Sequence, residues 1–254
     1  MTTKTDQLVH AEGLGKCFRL YDRPLRRLAD LLLGAPKDPS KQRFEEHWGL
    51  RSVDLTIAPG ECLGVIGKNG SGKSTLLKLL SGALSPTEGS VRLGGRCLAL
   101  IELATGFDPR LTGRENIRFV GEMLGLGTDY VQSRESDILE FAGLGMFIDQ
   151  PTRSYSSGMF ARLSFSLFAF LDPDVLMVDE VLAVGDAEFK QRCYSWIETV
   201  VERGDRALLY VSHGLETVQR LATRVLWLDQ GQVRELGDPS TVLENYRSSL
   251  TKLP

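Results

Sequence analysis

The sequence predicts an α/β fold built around a largely parallel sheet, and three observations support this prediction. Short apolar stretches at residues 174–179, 206–211 and 224–229 have the length and composition of buried strands. Helical segments separate them, as parallel pairing requires, because the chain must cross the sheet before it can pair again in the same direction. A further apolar run, residues 62–66, leads directly into a glycine-rich loop and a helix start.

The composition narrows the class of protein. The chain has 254 residues, of which 42% are hydrophobic and 25% charged, as is typical of one globular unit with a sizeable core. Its net charge of -3 argues against a nucleic-acid-binding protein, which normally carries a basic surplus. The four cysteines form no C-x-x-C pair, so we expect reduced thiols in a cytoplasmic protein. With no apolar run of membrane-helix length and no secretory signal, we expect any membrane role to depend on a partner.

The N-terminal segment predicts a strand followed by an insertion. Residues 8–18 predict a first edge strand, and the insertion extends over about residues 21–45. Pro24 suits a first helical turn and Gly34 a helix end. The predicted helix places three leucines on one face: Leu25, Leu28 and Leu32. Two interpretations stay open, since this face either packs on its own domain or meets a partner or a membrane.

The next segments predict further strands and then helices. Residues 48–58 alternate apolar and polar side chains as a half-buried strand does, and Pro59-Gly60 turns the chain afterwards. Residues 90–101 predict another hairpin, and from about 112 to 170 the pattern is helical. We find no internal repeat.

A glycine-rich loop predicts a phosphate site. Residues 67–74 read G-x-x-x-x-G-K-S between a strand and a helix, which is the context of a phosphate-binding loop. Glycines let successive backbone N–H groups point inward at phosphate oxygens, and the helix N-terminus adds partial positive charge. We expect Lys73 to reach the β and γ phosphates and Ser74 to ligate Mg²⁺. The predicted nucleotide contacts are Gly67, Asn69, Gly70, Ser71, Gly72, Lys73, Ser74 and Thr75.

Two strand ends supply candidate catalytic groups. The apolar run 175–178 ends in Asp179, which is placed to hold the Mg²⁺ shell, and Glu180, which can polarise the attacking water as a general base. His213 ends the next strand, where an imidazole can contact the γ-phosphate. A strand that merely happens to end in two acids, and a structural histidine, are the plainer alternatives. The phosphate-binding loop upstream favours the catalytic roles.

A second anion site follows at residues 155–159, Tyr-Ser-Ser-Gly-Met. Small and hydroxyl residues that open a helix favour anion binding. One chain already holds a triphosphate in its phosphate-binding loop, so a second site is redundant within that chain. It has a purpose if it caps the γ-phosphate bound to another subunit. We therefore expect ATP to join two copies of the chain and hydrolysis to release them.

Together these motifs resemble the nucleotide-binding subunits of ABC transporters, and the similarity covers nearly the whole chain. The resemblance implies a P-loop NTPase fold with a RecA-like parallel core, an antiparallel β subdomain and an inserted helical subdomain at about residues 104–170. It implies a single nucleotide-binding domain over residues 1–254, ending in a short helix at about 239–250. The cofactors it implies are ATP and Mg²⁺, and the activity is ATP hydrolysis coupled to transport.

The same resemblance assigns residues at a dimer interface. Ser156 and Gly158, with Ser157 between them, would meet the opposite γ-phosphate. Asp186 ends a stretch, Ala-Val-Gly-Asp, that resembles the family's D-loop. The aromatic residue that stacks on adenine lies at the end of the first strand, which points to Phe18, with Tyr21 as a second candidate.

The sequence departs from the family pattern at two places. The signature reads YSSGM where most members have LSGGQ. The glutamine expected after the strand near residue 101 is missing, and Glu102 is the nearest polar substitute. A carboxylate can approach Mg²⁺ through water, but its charge would repel the γ-phosphate, so the role of Glu102 as a metal ligand stays open.

The signature variant, the stretch ELATGFDPRLTGREN and the insertion that begins at Tyr21 are similar to the subfamily that exports bacterial polysaccharides. That resemblance implies a homodimer with two copies of a membrane-spanning permease, at the cytoplasmic face of the inner membrane, moving a lipid-linked O-antigen, capsule or teichoic-acid-type polymer. No carbohydrate-binding domain is expected after residue 238.

An exporter of a lipid or drug is the main alternative. A soluble ABC-type protein that acts on ribosomes or DNA would have two fused cassettes or a long coiled coil, and the sequence predicts neither. A GTPase would have an N-K-x-D motif, which does not occur in the sequence.

Overall fold

The computed structural model describes residues 7–34, 44–100, 106–179 and 186–251. Within these ranges the strands are β1 (Val9–Leu20), β2 (Glu45–Ile57), β3 (Cys62–Ile66), β4 (Glu88–Leu93), β5 (Cys97–Ala99), β6 (Val175–Val178), β7 (Ala207–Val211), β8 (Arg224–Asp229) and β9 (Gln232–Gly237). The α-helices are α1 (Pro24–Leu33), α2 (Lys73–Leu80), α3 (Gly113–Met123), α4 (Thr128–Ala142), α5 (Ser157–Phe170), α6 (Ala187–Arg203), α7 (Leu215–Leu221) and α8 (Pro239–Thr251).

The strands form two sheets. In the described part of the chain a six-stranded sheet has the order β5-β6-β7-β3-β8-β9, in which β9 alone runs antiparallel to its neighbour. A three-stranded antiparallel sheet has the order β2-β1-β4. Helices connect the parallel strands, as this topology requires. The α/β fold with a parallel core and an antiparallel sheet is therefore confirmed.

The core lies on both faces of the parallel sheet because its central strands are buried on both sides. Successive residues alternate between two clusters: Leu176 faces the helices α3 to α6, whereas the next residue, Met177, faces the antiparallel sheet and α2. Phe165, on α5, is fully buried and stacks on Phe141 of α4 with ring centroids 5.9 Å apart. Burial of a side chain of this size contributes about 1.5–3 kcal/mol. The sheet is thus held rigidly between two apolar layers.

Two strand predictions were wrong. β1 is the central strand of its sheet rather than an edge strand, because β2 pairs on one side and β4 on the other. The predicted hairpin at residues 90–101 does not form, because β4 and β5 belong to different sheets and Gly94 lies at the crossing between them. The strand β9 was not predicted, because its side chains are largely polar and half-exposed.

The helix α1 exposes its leucines and buries a polar residue, which is the opposite of an ordinary amphipathic surface helix. Leu25, Leu28 and Leu32 are exposed by 75%, 51% and 73%. The buried residue of this helix is Asp30, and the Tyr21 hydroxyl donates to its Oδ2 at 3.2 Å. The interpretation in which these leucines pack on their own domain is therefore wrong. The rest of the insertion, residues 35–43, lies outside the described residues, and none of the described helices has both the length and the apolar character needed to cross a bilayer.

Candidate functional site

One cleft of about 390 Å³ lies at the carboxyl ends of the parallel strands. It brings together residues from β1, the glycine loop, β6 and the segment after β7, which are far apart in sequence. The predicted site residues in its wall are Phe18, Asn69, Gly70, Gly72, Lys73, Ser74, Thr75, Asp179 and His213. The loop, the acid and the histidine were predicted to serve one nucleotide, and the structure places them in the wall of one cleft.

The backbone of the glycine loop excludes side chains at two positions. Gly67 has φ +150°, and a Cβ there would lie 2.3 Å from the carbonyl oxygen of Leu228. Gly72 has φ +106°, and a Cβ there would lie 2.5 Å from the carbonyl oxygen of Gly49. Both contacts are far shorter than a real Cβ tolerates, so neither position accepts another residue without rearrangement. The loop is therefore curved tightly ahead of α2, and the first residues of that helix line the cleft.

Lys73 is held within this curve. Its side chain is buried, and its Nζ donates to the carbonyl oxygens of Gly67 at 2.7 Å and Lys68 at 3.0 Å. A buried ammonium is stable only where such acceptors surround it. The positive charge is thus fixed at the mouth of the loop, where phosphate oxygens would bind.

Ser71 supplies an independent indication of a ligand. Its hydroxyl is buried, and within the described residues it has no hydrogen-bond partner. A buried polar atom without a partner costs about 1–3 kcal/mol. A phosphate oxygen in the loop would satisfy this hydroxyl, so the loop fits a triphosphate.

The donors for a divalent cation also lie in this cleft. The Ser74 hydroxyl and the Asp179 carboxylate both line it, and both supply oxygen, the ligand that Mg²⁺ prefers. Mg²⁺ is usually bound by one or two protein oxygens together with water and substrate phosphates. The residues present therefore fit Mg²⁺ bound together with a nucleotide.

The signature segment stands apart from the cleft. Ser156 caps α5, and its Oγ accepts from the N–H of Met159 at 3.2 Å. Ser156 and Ser157 are exposed, and the nearest atom to a Cβ built on Gly158 is 3.9 Å away. None of the three is part of the cleft wall. Within one chain, the structure does not bring the predicted signature residues to the phosphate-binding loop.

Asp186 links the signature helix to α6. Its carboxylate caps α6 by accepting from the N–H of Phe189 at 2.9 Å, and it forms an ion pair with Arg162 of α5. The Phe189 N–H and the Arg162 guanidinium hold the pKa of the Asp186 carboxyl below its ordinary value. The acid therefore stays ionised at neutral pH and keeps both partners. The sequence analysis did not find Arg162, although its position one turn beyond the signature was a usable signal.

Other site residues were missed or lie outside the described structure. His47, Gly49 and Val211 line the cleft but were not predicted. His47 lies directly opposite Phe18 in the β1–β2 ladder, a pairing that no signal in the sequence marked. Glu102 and Glu180 lie outside the described residues, so their predicted roles stay predictions.

The fold and the cleft define a P-loop nucleoside triphosphatase, with a phosphate-binding loop after β3 and an acid at the end of β6. The family model described as "ABC transporter" matches residues 50–183. The chain belongs to the ABC transporter family.

Relatives and solved structures agree with this membership. The chain is 38% identical over 245 residues to the O-antigen export system ATP-binding protein RfbB of Klebsiella pneumoniae, covering 96% of this chain and 99% of that one. It is 42% identical to the ABC transporter protein AbcA of Aeromonas salmonicida (97% and 78% covered) and 38% identical to the teichoic acids export ATP-binding protein TagH of Bacillus cereus (95% and 43% covered). A dimeric post-hydrolysis structure of the ATP-binding cassette MJ0796 with ADP and Pi has the same fold, with a TM-score of 0.73, 18% identity, and 91% and 98% of the two chains covered.

Proposed function

We propose that this chain is the ATP-hydrolysing subunit of an ABC transporter that exports a lipid-linked polysaccharide across the cytoplasmic membrane. The observation that carries the proposal is the division of the site. One cleft unites the phosphate-binding loop, Asp179 and His213, while the exposed signature residues lie outside it. This division is expected when two chains face each other and each completes the other's nucleotide site.

Nucleotide binding follows from the wall of the cleft. The phosphate-binding loop and Lys73 hold the phosphates, and Phe18, in the same wall, offers an aromatic ring to adenine. Ser74 and Asp179 hold Mg²⁺, which neutralises charge on the phosphate oxygens when bound. Glu180 directly follows Asp179 in sequence, and its carboxylate accepts a proton from the attacking water. His213 orients the γ-phosphate from the neighbouring strand end.

The second chain completes the site through its signature helix. Ser156 and Gly158 present a hydroxyl and an open helix N-terminus to the opposite γ-phosphate, with Ser157 beside them. The Arg162–Asp186 ion pair connects this helix to α6. ATP therefore closes a head-to-tail dimer, and hydrolysis reopens it.

The class of cargo rests on sequence similarity. The relatives named for O-antigen and teichoic acid export are 38% identical over almost the whole of this chain. We therefore infer a polymer of the O-antigen, capsule or teichoic-acid type on a lipid carrier, moved by a permease that binds two copies of this chain at the cytoplasmic face. A lipid or drug is the alternative cargo.

A gene deletion in the source bacterium tests the cargo. Cells without this chain are expected to lose surface polysaccharide and to accumulate the lipid-linked polymer inside, because synthesis continues while export stops. The wild-type gene should restore export, whereas a Lys73→Met variant should not. Normal surface polysaccharide in the deletion strain, with loss of another exported lipid or of drug resistance, would favour the alternative cargo.

The exposed leucines of α1 are part of the proposed transporter contact. Leu25, Leu28 and Leu32 contribute little to folding because they are largely exposed, yet together they form an apolar ridge on the surface. We infer that this ridge meets the permease or the lipid beside it. Asp30 and Tyr21 hold the helix on the cassette from the opposite side.

A triple Leu25→Ser, Leu28→Ser and Leu32→Ser variant tests this contact. Export should fall at least about tenfold while basal ATPase activity of the isolated subunit is unchanged, and the melting temperature should shift by only a few degrees because exposed substitutions usually cost under about 0.5 kcal/mol each. Leu250→Ser, on the exposed surface of α8, is the control and should leave export intact. A large loss of melting temperature in the triple variant would contradict the proposed role.

A further inference from the structure

The edge of the cleft nearest Phe18 contains a β-bulge. In the β1–β2 ladder Cys17 pairs with Trp48, but the preceding residue, Lys16, pairs with Leu50. Gly49 therefore lies between two paired residues of β2 and has no partner on β1. A bulge of this kind interrupts the ladder and changes the direction of nearby side chains, and bulges are frequent next to binding sites.

The side chain that this bulge affects is Phe18. A Cβ built on Gly49 would lie 2.7 Å from Cε2 and 3.3 Å from Cδ2 of the Phe18 ring, so the ring rests directly on the glycine. The same Cβ would lie 3.2 Å from Oγ1 of Thr75, on the helix that follows the phosphate-binding loop. The space that a side chain would occupy at Gly49 is thus already filled by the aromatic ring.

The carbonyl group of Gly49 makes a second contact. It lies 2.5 Å from the point where a Cβ of Gly72 would stand, so the bulge also packs against the phosphate-binding loop. Gly49 therefore touches Phe18 and Gly72, two residues that both line the nucleotide cleft. Both contacts depend on the absence of a side chain.

We propose that Gly49 is a positioning residue for the nucleobase: its missing side chain lets the Phe18 ring rest against the bulge, beside the phosphate-binding loop, where the ring can stack on adenine. This inference rests on the proposed role of Phe18 as the adenine platform. Gly49 itself lines the cleft, but the effect proposed for its missing side chain passes through the Phe18 ring, which is the atom group closest to its Cβ position. Its effect on affinity must therefore vanish when the ring or the base is absent.

A Gly49→Ala variant tests the proposal. The methyl group would meet side-chain atoms rather than backbone, the Phe18 ring at 2.7 Å and Thr75 Oγ1 at 3.2 Å. The ring is the closer of the two, so it tilts away and the fold remains. Stacking of a base on an aromatic ring is worth about 1–3 kcal/mol, so Mg-ATP affinity should fall roughly 5- to 150-fold, as in a Phe18→Ala variant. Affinity for Mg-tripolyphosphate, which has no base, should not change. Gly237→Ala, a strand glycine with no atom closer than 3.8 Å to its Cβ position, is the control and should bind both as the wild type does.

The double variant, Gly49→Ala with Phe18→Ala, decides the mechanism. It should bind Mg-ATP no more weakly than Phe18→Ala alone, because removal of the ring also removes the clash. The proposal would be overturned if the losses of Mg-ATP affinity in the two single variants added up in the double variant. It would also be overturned if Gly49→Ala weakened binding of Mg-tripolyphosphate as much as binding of Mg-ATP. If Gly49→Ala alone does not fold, a folded double variant supports the proposal and an unfolded one overturns it. Unchanged ATP affinity in Phe18→Ala would instead show that the adenine assignment itself is wrong.

Discussion

Replacing Lys73 with methionine is expected to weaken Mg-ATP binding by at least about 100-fold, since each hydrogen bond from a charged donor contributes about 1.5–3 kcal/mol and two phosphates lose their contact. Methionine retains most of the buried alkyl volume, so the loss isolates the ammonium group. The loop itself also loses support, because Nζ donates to the carbonyl oxygens of Gly67 and Lys68. ATPase activity should fall with affinity.

A titration with a fluorescent ATP analogue measures this effect. Lys78→Met is the matched control because Lys78 lies on the same helix, α2, but is exposed and outside the cleft wall. The control should bind the analogue as the wild type does. An unchanged titration for Lys73→Met would contradict the role of this lysine in phosphate binding.

The phosphate site was predictable because its chemistry is local. Residues 67–74 lie between a strand and a helix in the sequence, and the same order places them at a strand end in the fold. Asp179 and His213 lie more than 100 residues later, yet they were predictable in the same cleft. The carboxyl ends of parallel strands meet at one edge of a sheet, so residues that end such strands lie close together.

Strand pairing was less predictable, because it depends on partners remote in sequence. Residues 8–18 predicted a strand, but their sequence does not show that β4 would pair along its second edge. For the same reason the bulge at Gly49 was not predicted, since a bulge is a property of two paired strands and not of one. His47 was missed with it, although it lies opposite Phe18.

The orientation of α1 shows a different limit. Helical periodicity identifies which residues share a face, but it does not show whether that face points inward. Here the leucines point outward, and the polar pair of Tyr21 and Asp30 holds the helix on the sheet. The two interpretations were separated only by the exposure of the leucines in the structure.

Because the signature helix lies outside the cleft of its own chain, we expect ATP to join two chains, and the second prediction with a large effect tests this. Glu180→Gln is expected to bind Mg-ATP with wild-type affinity and to lower hydrolysis by about 10²- to 10⁴-fold, because glutamine has the same shape but cannot accept a proton from water. ATP that is bound but not hydrolysed should hold two chains together. Light scattering after size-exclusion chromatography should then show a dimer in Mg-ATP and a monomer without nucleotide. Hydrolysis at the wild-type rate would exclude Glu180 as the base.

A second substitution tests whether that dimer forms through the signature. In Glu180→Gln with Gly158→Glu, the new side chain has room within one chain, because no atom lies closer than 3.9 Å to the Cβ position. The monomer should therefore fold and bind Mg-ATP normally. In the dimer the new carboxylate would lie beside the γ-phosphate bound to the other chain, and the two negative charges would repel each other. This double variant should stay monomeric at saturating Mg-ATP, and a dimer of unchanged stability would mean that the two chains meet through another surface.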